Sequence, residues 1–463
     1  MALLKSISGI RGTIGGKVGE NLTPLDVVKF VSAYGTLLKK DNPNKRLKVN
    51  IGRDSRVSGE MIRQLVVSTL QAFGIDIVDL GLASTPTVEI SVSIERSQGG
   101  IIITASHNEK EWNALKFLNE KGEFLTSKES EALLELAQRD DFVFSTIEDL
   151  GTYRKDDTYS QKHLDGILKL PLVNTEVITQ ANYKVVVDGI NSVGGIIVPD
   201  LLRLLGVSDI IKLNCDPTGL FSHNPEPLEK NLEEVSKRVV EEKADLGIVV
   251  DPDVDRLVFF NENGSIFGEE YTLVAVADFV LSKTRGAVVS NLSSSRALSD
   301  ISKIYNCDYY SSAVGEVNVV EKMKETKAVI GGEGNGGVIY PAYHYGRDAL
   351  VGIALFLTHL ASKNQSMTAL KNTYPKYAMI KDKIELSPDL NIDEVMGYLK
   401  NKYSSEKITD IDGVKIDFSK SWVHLRKSNT EPIVRIYAEA VNQSQADELV
   451  KKIIGDIKSY AYI

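Results

Sequence analysis

Three acidic side chains, Asp251, Asp253 and Asp255, alternate along a stretch that follows the apolar run Ala244 to Val250. At that spacing their carboxylates can converge on one point, and three adjacent negative charges without a cation are costly. A hard divalent cation with oxygen ligands relieves the cost, and Mg2+ suits an open site with few protein ligands. A calcium EF-hand is the competing pattern, with Glu262 at its twelfth position. Position six is Arg256 where that loop needs glycine, and a strand signal rather than a helix precedes it, so the EF-hand is rejected. A solvated acidic turn is the bland alternative.

Ser106 stands in Thr104-Ala105-Ser106-His107-Asn108, directly after the buried-strand signal Ile101-Ile102-Ile103. A serine there sits on rigid backbone at the end of a strand, where α/β sheets place their chemistry. Its residue type fits a nucleophile or a loop cap. No G-x-S-x-G elbow is present, and His107, adjacent in sequence, is poorly placed to take a proton from Ser106. Lys116 is either a base or phosphate-binding cation near this loop, or a solvated lysine.

Two further stretches carry binding chemistry. Gly331 to Gly337 is a glycine loop holding one carboxylate, Glu333, and one amide, Asn335, a pairing that suits sugar hydroxyls. Arg426 to Pro432, with Ser428, Asn429 and Thr430 inside it and Arg435 behind, offers a guanidinium, hydroxyls and backbone N–H groups to a phosphate. Arg11, in the glycine-rich segment Ser8 to Gly16, can also meet a phosphate. Taken singly, each is equally a glycine-rich turn or a basic loop. Together they supply a hydroxyl nucleophile, a cation site, a sugar-like pocket and a phosphate clamp, which is what phosphoryl transfer requires.

The elements that must position these groups repeat. Strand, polar loop, helix, strand recurs from Leu47, from Lys184 and from Ala287, with Gly52 to Arg56, Asp188 to Ser192 and Asn291 to Ser295 as the loops. That argues for three related α/β domains with mixed sheets. After Asn364 the pattern changes to strands at Lys383 to Leu386, Gly413 to Phe418, Ser421 to Leu425 and Ile433 to Ala440, closed by a helix from Ser444 to Tyr460. The expected organisation is domain I at 1–150, domain II at 151–252, domain III at 253–366 and a smaller C-terminal α+β domain at 367–463, around a central cleft. The phosphate loop lies in the last domain, which is expected to close over the cleft and exclude water.

The chain of 463 residues carries a net charge of −9, which argues against nucleic acid or an anionic membrane as its main partner. No apolar run is long enough for a transmembrane helix, and the N-terminal segment is too short in apolar residues for a signal peptide. Two cysteines, Cys215 and Cys307, offer no disulfide framework, so a reducing cytoplasm is expected.

The four motifs, in this order and spacing over nearly the whole chain, resemble the α-D-phosphohexomutase superfamily. The resemblance implies that Ser106 is a phosphoserine that also ligates Mg2+ beside the three aspartates. It implies transfer between O6 and O1 of a hexose phosphate through a 1,6-bisphosphate. Arg11, His107 and Lys116 match positions near the phosphoserine, with Lys116 a candidate general base, and Arg256 would face the transferring group. Val314 and Gly315 fall in a second sugar-contacting loop. Many bacterial members read G-E-x-S-G-H at the sugar loop, where this chain has Glu333-Gly334-Asn335-Gly336-Gly337. That form is most like the phosphoglucosamine mutase branch, implying glucosamine 6-phosphate as substrate, with phosphomannomutase/phosphoglucomutase as the close alternative, in a monomer or homodimer. A Mg2+-dependent phosphatase and a non-catalytic phosphosugar binder are the competing classes.

Overall fold

A computed structural model describes residues 3–7, 9–43, 45–385, 391–427 and 433–461. The chain forms three related mixed sheets and one antiparallel sheet. The strand that opens each repeat, Lys48–Arg53, Lys184–Asp188 or Val288–Asn291, is short and buried along most of its length, as in a sheet covered on both faces. Each of these strands is central in its sheet. The second and third strands of the repeat flank it in parallel, and a fourth pairs antiparallel with the third.

The first sheet therefore runs Asp76–Leu82, Lys48–Arg53, Gly99–Ile103, Trp112–Leu118. The second repeats that order with Asp209–Leu213, Lys184–Asp188, Leu246–Val250 and Leu257–Asn261. The third does so with Tyr309–Ser312, Val288–Asn291, Ile330–Glu333 and Gly337–Ile339. Leu4–Ser6, Gly9–Thr13 and Tyr153–Lys155 extend the first sheet to seven strands.

The chemistry follows from this topology. The crossing from third to fourth strand lies at the carboxyl end of each sheet's parallel core and spans residues 104–111, 251–256 and 334–336. Ser106 lies on the first crossing, Asp251, Asp253 and Asp255 on the second, and Asn335 on the third, just after Glu333 ends its strand. Three of the four motifs thus occupy one structural position of a repeated unit.

Helices set these sheets. Pro24–Asp41 starts as its sequence directs, with Thr23 accepting from the Asp26 amide and Pro24 in the first turn. Ala349–Lys363 is apolar all round and buried from Ala349 to Leu360, with the Asp348 carboxylate capping the amides of Leu350 and Val351. The second and third sheets share one continuous apolar core, including Val187, Leu257, Val276 and Phe356.

The C-terminal unit has its own core, including Val395, Leu399, Val423, Val434 and Ile453. Its five antiparallel strands run in the order Ala378–Glu385, Ile433–Ala440, Trp422–Lys427, Val414–Asp417, Lys407–Thr409, with helices Ile392–Lys402 and Gln443–Ala461 packed together. The expected strand from Lys383 in fact begins at Ala378, and Leu386 lies outside the described residues. This is an edge strand with a single buried residue, Ile384, which gives a weak apolar pattern. Helix Ile392–Lys402 and strand Lys407–Thr409 are additions to the sequence reading. Both free cysteines, Cys215 and Cys307, are half-buried. Among the described residues no helix is long and apolar enough to cross a membrane.

Candidate active site

Ser106 adopts φ +49, a left-handed conformation unusual for a residue with a side chain. Two features hold it there. Its amide donates to Thr104 Oγ1 at 2.9 Å. Arg56, fully buried, donates to the carbonyls of Ser106, Asn108, Glu109 and Trp112 and pairs through Nε with Asp54 at 3.0 Å. One guanidinium thus fastens the whole serine loop to the end of the central strand. Ser106 Oγ is left to donate to Asp251 Oδ2 at 2.7 Å, and it lies 3.3 Å from His107 Nδ1.

The three aspartates are fully buried, and ligand-type oxygens from all three lie within 4.8 Å of one another. Val254, between two of them, is held at φ +62, which is costly for a β-branched residue. The turn brings the amides of Asp255 and Arg256 to Asp251 Oδ1, each at 3.1 Å. Ser192 Oγ braces the loop by donating to the Pro252 carbonyl at 2.7 Å. Asp253 accepts from Lys116 Nζ at 2.7 Å and Thr85 Oγ1 at 2.6 Å. Asp255 accepts from Arg347 Nη2 at 2.6 Å. Asp253 Oδ1 and Asp255 Oδ1 remain buried without a hydrogen-bond partner. Orphaned carboxylate oxygens beside a third carboxylate fit a hard cation with oxygen ligands.

The electrostatics divide the site. Burial, with Asp255 and Asp253 alongside, pushes the Asp251 carboxyl well above its usual range. Burial works against the charge on Asp253 too, but Lys116 outweighs it and keeps that carboxyl ionised. Burial and the neighbouring Arg256, Arg11 and Arg347 hold the His107 imidazole well below its ordinary value, hence neutral. Arg11 donates to Asn108 Oδ1 at 2.7 Å, and burial lowers its guanidinium to about 10. Arg256 Nη2 reaches His107 Nε2 at 3.5 Å.

On the sugar side, Glu333 Oε2 accepts from Arg347 Nη1 at 2.8 Å, while Oε1 accepts from Asn291 Nδ2 at 2.8 Å and the Gly315 amide at 3.0 Å. Arg347 also donates to Glu316 through its amide and its Nε, each at 3.0 Å. Gly336 has φ +88, and a Cβ there would stand 2.4 Å from the Leu257 carbonyl oxygen, so the loop needs glycine at that point. The Val314 amide donates to Asp412 of the C-terminal unit at 2.9 Å. Arg426, which pairs with Asp412 at 2.9 Å, stands directly opposite Arg435 across two antiparallel strands. Ser428, Asn429 and Thr430 lie outside the described residues.

A cleft of about 500 Å3 gathers these parts, with His107, Arg256, Val314, Glu333, Asn335, Arg426 and Arg435 on its walls. Ser106, Lys116 and the aspartates are buried behind this wall, where Ser106 Oγ lies 3.3 Å from His107 Nδ1 and the Arg256 amide donates to Asp251. Sequence reasoning missed Arg56, Thr85 and Arg347. The only local signal was an arginine beside an aspartate in Asp54-Ser55-Arg56 and in Arg347-Asp348, each where a strand or loop gives way to a helix.

The chain matches the phosphoglucomutase/phosphomannomutase family in all four of its domains. The α/β/α domains I, II and III match residues 3–144, 161–264 and 268–377, and the C-terminal domain matches 381–455. It belongs to that family. The protein is therefore a phosphohexomutase, an isomerase acting by phosphoryl transfer. Over 95% of the chain it is 36% identical to a phosphoglucomutase/phosphomannomutase of Thermococcus kodakarensis, covering 96% of that protein. Over 98% of each chain it is 35% identical to a phosphoglucosamine/phosphogalactosamine mutase of Sulfurisphaera tokodaii. A phosphoglucomutase/phosphomannomutase family protein from Burkholderia thailandensis shares the fold, with a TM-score of 0.84 at 24% identity over 98% of each chain. The phosphohexomutase thus has the four-domain α/β architecture with mixed sheets that its sequence implied.

Proposed function

We propose that this phosphohexomutase carries a phosphoryl group on Ser106 and interconverts glucosamine 6-phosphate and glucosamine 1-phosphate through the 1,6-bisphosphate. The observation that carries this reading is the 2.7 Å bond from Ser106 Oγ to Asp251 Oδ2, beside two orphaned carboxylate oxygens of Asp253 and Asp255. Mg2+ is the proposed cofactor, held by Asp251, Asp253, Asp255 and Ser106, and when bound it neutralises charge on the transferring group. Asp251 aims the serine oxygen. Arg11, bonded to Asn108, and Arg256, beside His107, supply positive charge, and neutral His107 packs against Oγ without competing as a cation. Burial opposes a charge on Lys116, but Asp253 and Asp255 outweigh it and raise its pKa, so Nζ is protonated at rest and suits a cation beside the transferring group rather than the general base the resemblance implied. Arg426 and Arg435, with Ser428, Asn429 and Thr430, form the proposed clamp for the non-reacting phosphate. Glu333 and Asn335, with the loop at Val314 and Gly315, receive the sugar hydroxyls.

The choice of an amino sugar rests on the mixed signs in the cleft, where Glu226 and Glu269 line the same space as Lys383, Arg426 and Arg435. Glu226 faces Arg256 at 3.9 Å and Glu269 pairs with Lys381 at 3.1 Å, so an ammonium on the sugar would share these carboxylates while its phosphate meets Arg426 and Arg435. The Sulfurisphaera tokodaii relative is named for hexosamine phosphates and the Thermococcus kodakarensis relative for glucose and mannose phosphates, so phosphoglucomutase/phosphomannomutase activity is the second reading. Comparing kcat/KM for glucosamine, glucose and mannose 6-phosphates decides between them. The highest value for glucosamine 6-phosphate supports the first reading, and a higher value for either neutral sugar supports the second. The unpaired thiols suit a cytoplasmic enzyme.

A further inference from the structure

The C-terminal unit meets the third repeat across a second cavity, about 670 Å3 in volume and distinct from the sugar cleft. Its walls carry five cationic side chains, Arg296, Lys303, Lys407, Lys415 and Lys420, against two carboxylates, Asp300 and Asp417. Two of the cations are committed. Lys303 pairs with Asp300 at 3.0 Å, and Arg296 donates to the carbonyls of Phe418, Ser419 and Ser421 while facing Asp417 at 3.6 Å.

The other three form no ion pair among the described residues. Lys407 and Lys420 are exposed, and Lys407 stands across the sheet from Asp417. Lys415 is the deep one, 7% exposed. Its Nζ donates to the Leu292 carbonyl at 2.8 Å and lies 4.3 Å from the centre of the Trp422 ring. An ammonium has three donors, so a buried lysine with a single described hydrogen bond retains donor capacity toward the cavity. Burial lowers its pKa against the pull of Asp417 and Glu439. A space of this size with surplus positive charge, and with hydroxyls such as Ser299 and Thr409 on its walls, fits a phosphate-bearing small molecule.

The wall between the two cavities is one short turn. Leu292 and Ser294 line the second cavity, and Asn291 and Ser293 line the sugar cleft. The same turn holds the sugar loop: Ser294 Oγ accepts from the Gly334 amide at 3.0 Å, and Asn291 Nδ2 donates to Glu333 at 2.8 Å. A ligand that draws Lys415 Nζ from the Leu292 carbonyl therefore acts on the turn that fixes Glu333 and Gly334.

We propose that this cavity is a second binding site, for a phosphorylated metabolite, and that its occupancy is coupled to the sugar cleft through the turn Leu292 to Ser294. The coupling must be reciprocal, so hexose phosphate in the cleft alters affinity at the second site by the same factor as the reverse.

The test is calorimetric titration of the full-length protein with ADP and, separately, with inorganic pyrophosphate, with the sugar cleft filled by an excess of whichever of glucosamine, glucose or mannose 6-phosphate shows the highest kcat/KM. The comparison protein carries Lys407→Glu and Lys420→Glu, both exposed and outside the catalytic machinery. The expected result is binding to the wild type that weakens about tenfold or more in the double variant, as loss of two phosphate-directed charges requires. The milder Lys407→Gln, Lys420→Gln pair should weaken it less. ADP should shift the KM of the wild type and leave the variant's KM unchanged, with equal basal rates in both. Binding of pyrophosphate as tight as ADP shows that the phosphates suffice, and preference for ADP shows that the nucleoside adds contacts. Equal ADP affinity in wild type and variant, no binding, or binding abolished by filling the cleft overturns the proposal. Heat reports binding without turnover, so the outcome is independent of whether Ser106 carries the phosphoryl group.

Discussion

Arg347 Nη2 and Asp255 Oδ2 meet at 2.6 Å in the interior, and the same guanidinium reaches Glu333 at 2.8 Å and Glu316 at 3.0 Å. One cation therefore ties the acidic crossing of the second sheet to the sugar crossing of the third. It also sets how far the cation site stands from the sugar-binding carboxylate, a distance that phosphoryl transfer cannot leave loose.

Arg347→Met should strand three buried carboxylates. Breaking a buried pair costs about 3–5 kcal/mol because the remaining charge loses its partner. Thermal unfolding should fall accordingly, and Arg347→Lys, which keeps the charge but not the fork, should recover stability better than turnover. A methionine variant as stable as the wild type contradicts this account of the pair.

Arg56 does not line the cleft, yet it holds three carbonyls of the serine loop and that of Trp112, which opens the next strand. Arg56→Lys cannot reproduce that fork, and a misplacement of about 1 Å costs about a hundredfold in rate. The expected steady-state result is a fall in kcat with KM little changed. A fall confined to KM contradicts a role in aiming Ser106.

Sequence and structure agree best where the signal is local. The run Ile101 to Ile103, the alternation of Asp251, Asp253 and Asp255, and the Thr23-Pro24 helix start are all set by residues a few positions apart. Arg56, Thr85 and Arg347 were not legible, because each acts on a loop that only tertiary packing brings near. The shared position of Ser106, Asp251 and Asn335 was also hidden. The third strands Gly99–Ile103, Leu246–Val250 and Ile330–Glu333 have little in common beyond being buried, so the repeat showed only in the strands before them.

Mg2+ should stabilise the folded protein by relieving the orphaned oxygens of Asp253 and Asp255. At a hundredfold excess over Kd a ligand of the native state adds about 2.7 kcal/mol. Differential scanning should show the melting temperature rising with Mg2+ and falling with chelator, and Asp253→Asn with Asp255→Asn should abolish the response along with turnover. A melting temperature indifferent to Mg2+ contradicts the site.

The contact between the C-terminal unit and the third repeat should weaken in acid. His424 Nε2–H donates to the Asp412 carbonyl at 2.6 Å, so Nδ1 accepts from Ser293 Oγ at 2.9 Å, and burial lowers the imidazole to about 4. An unfolded histidine titrates near 6.5, so as pH falls from about 6.5 to about 4 the unfolded chain gains a proton the folded chain refuses. Stability contributed by His424 is present above that window and lost through it, about 3 kcal/mol in all. Denaturant unfolding at several pH values should show this slope, and His424→Gln should flatten it. An unchanged slope in the variant contradicts the assignment.

Ser106 as the phosphoryl carrier is tested most directly by transfer from labelled glucose 1,6-bisphosphate to the dephosphorylated enzyme, followed by peptide mapping. The expected result is one label per chain, on Ser106, discharged by hexose 6-phosphate as product forms, and none on Ser106→Ala, whose turnover is lost. Label on another residue, or a Ser106→Ala variant that isomerises at the wild-type rate, contradicts it.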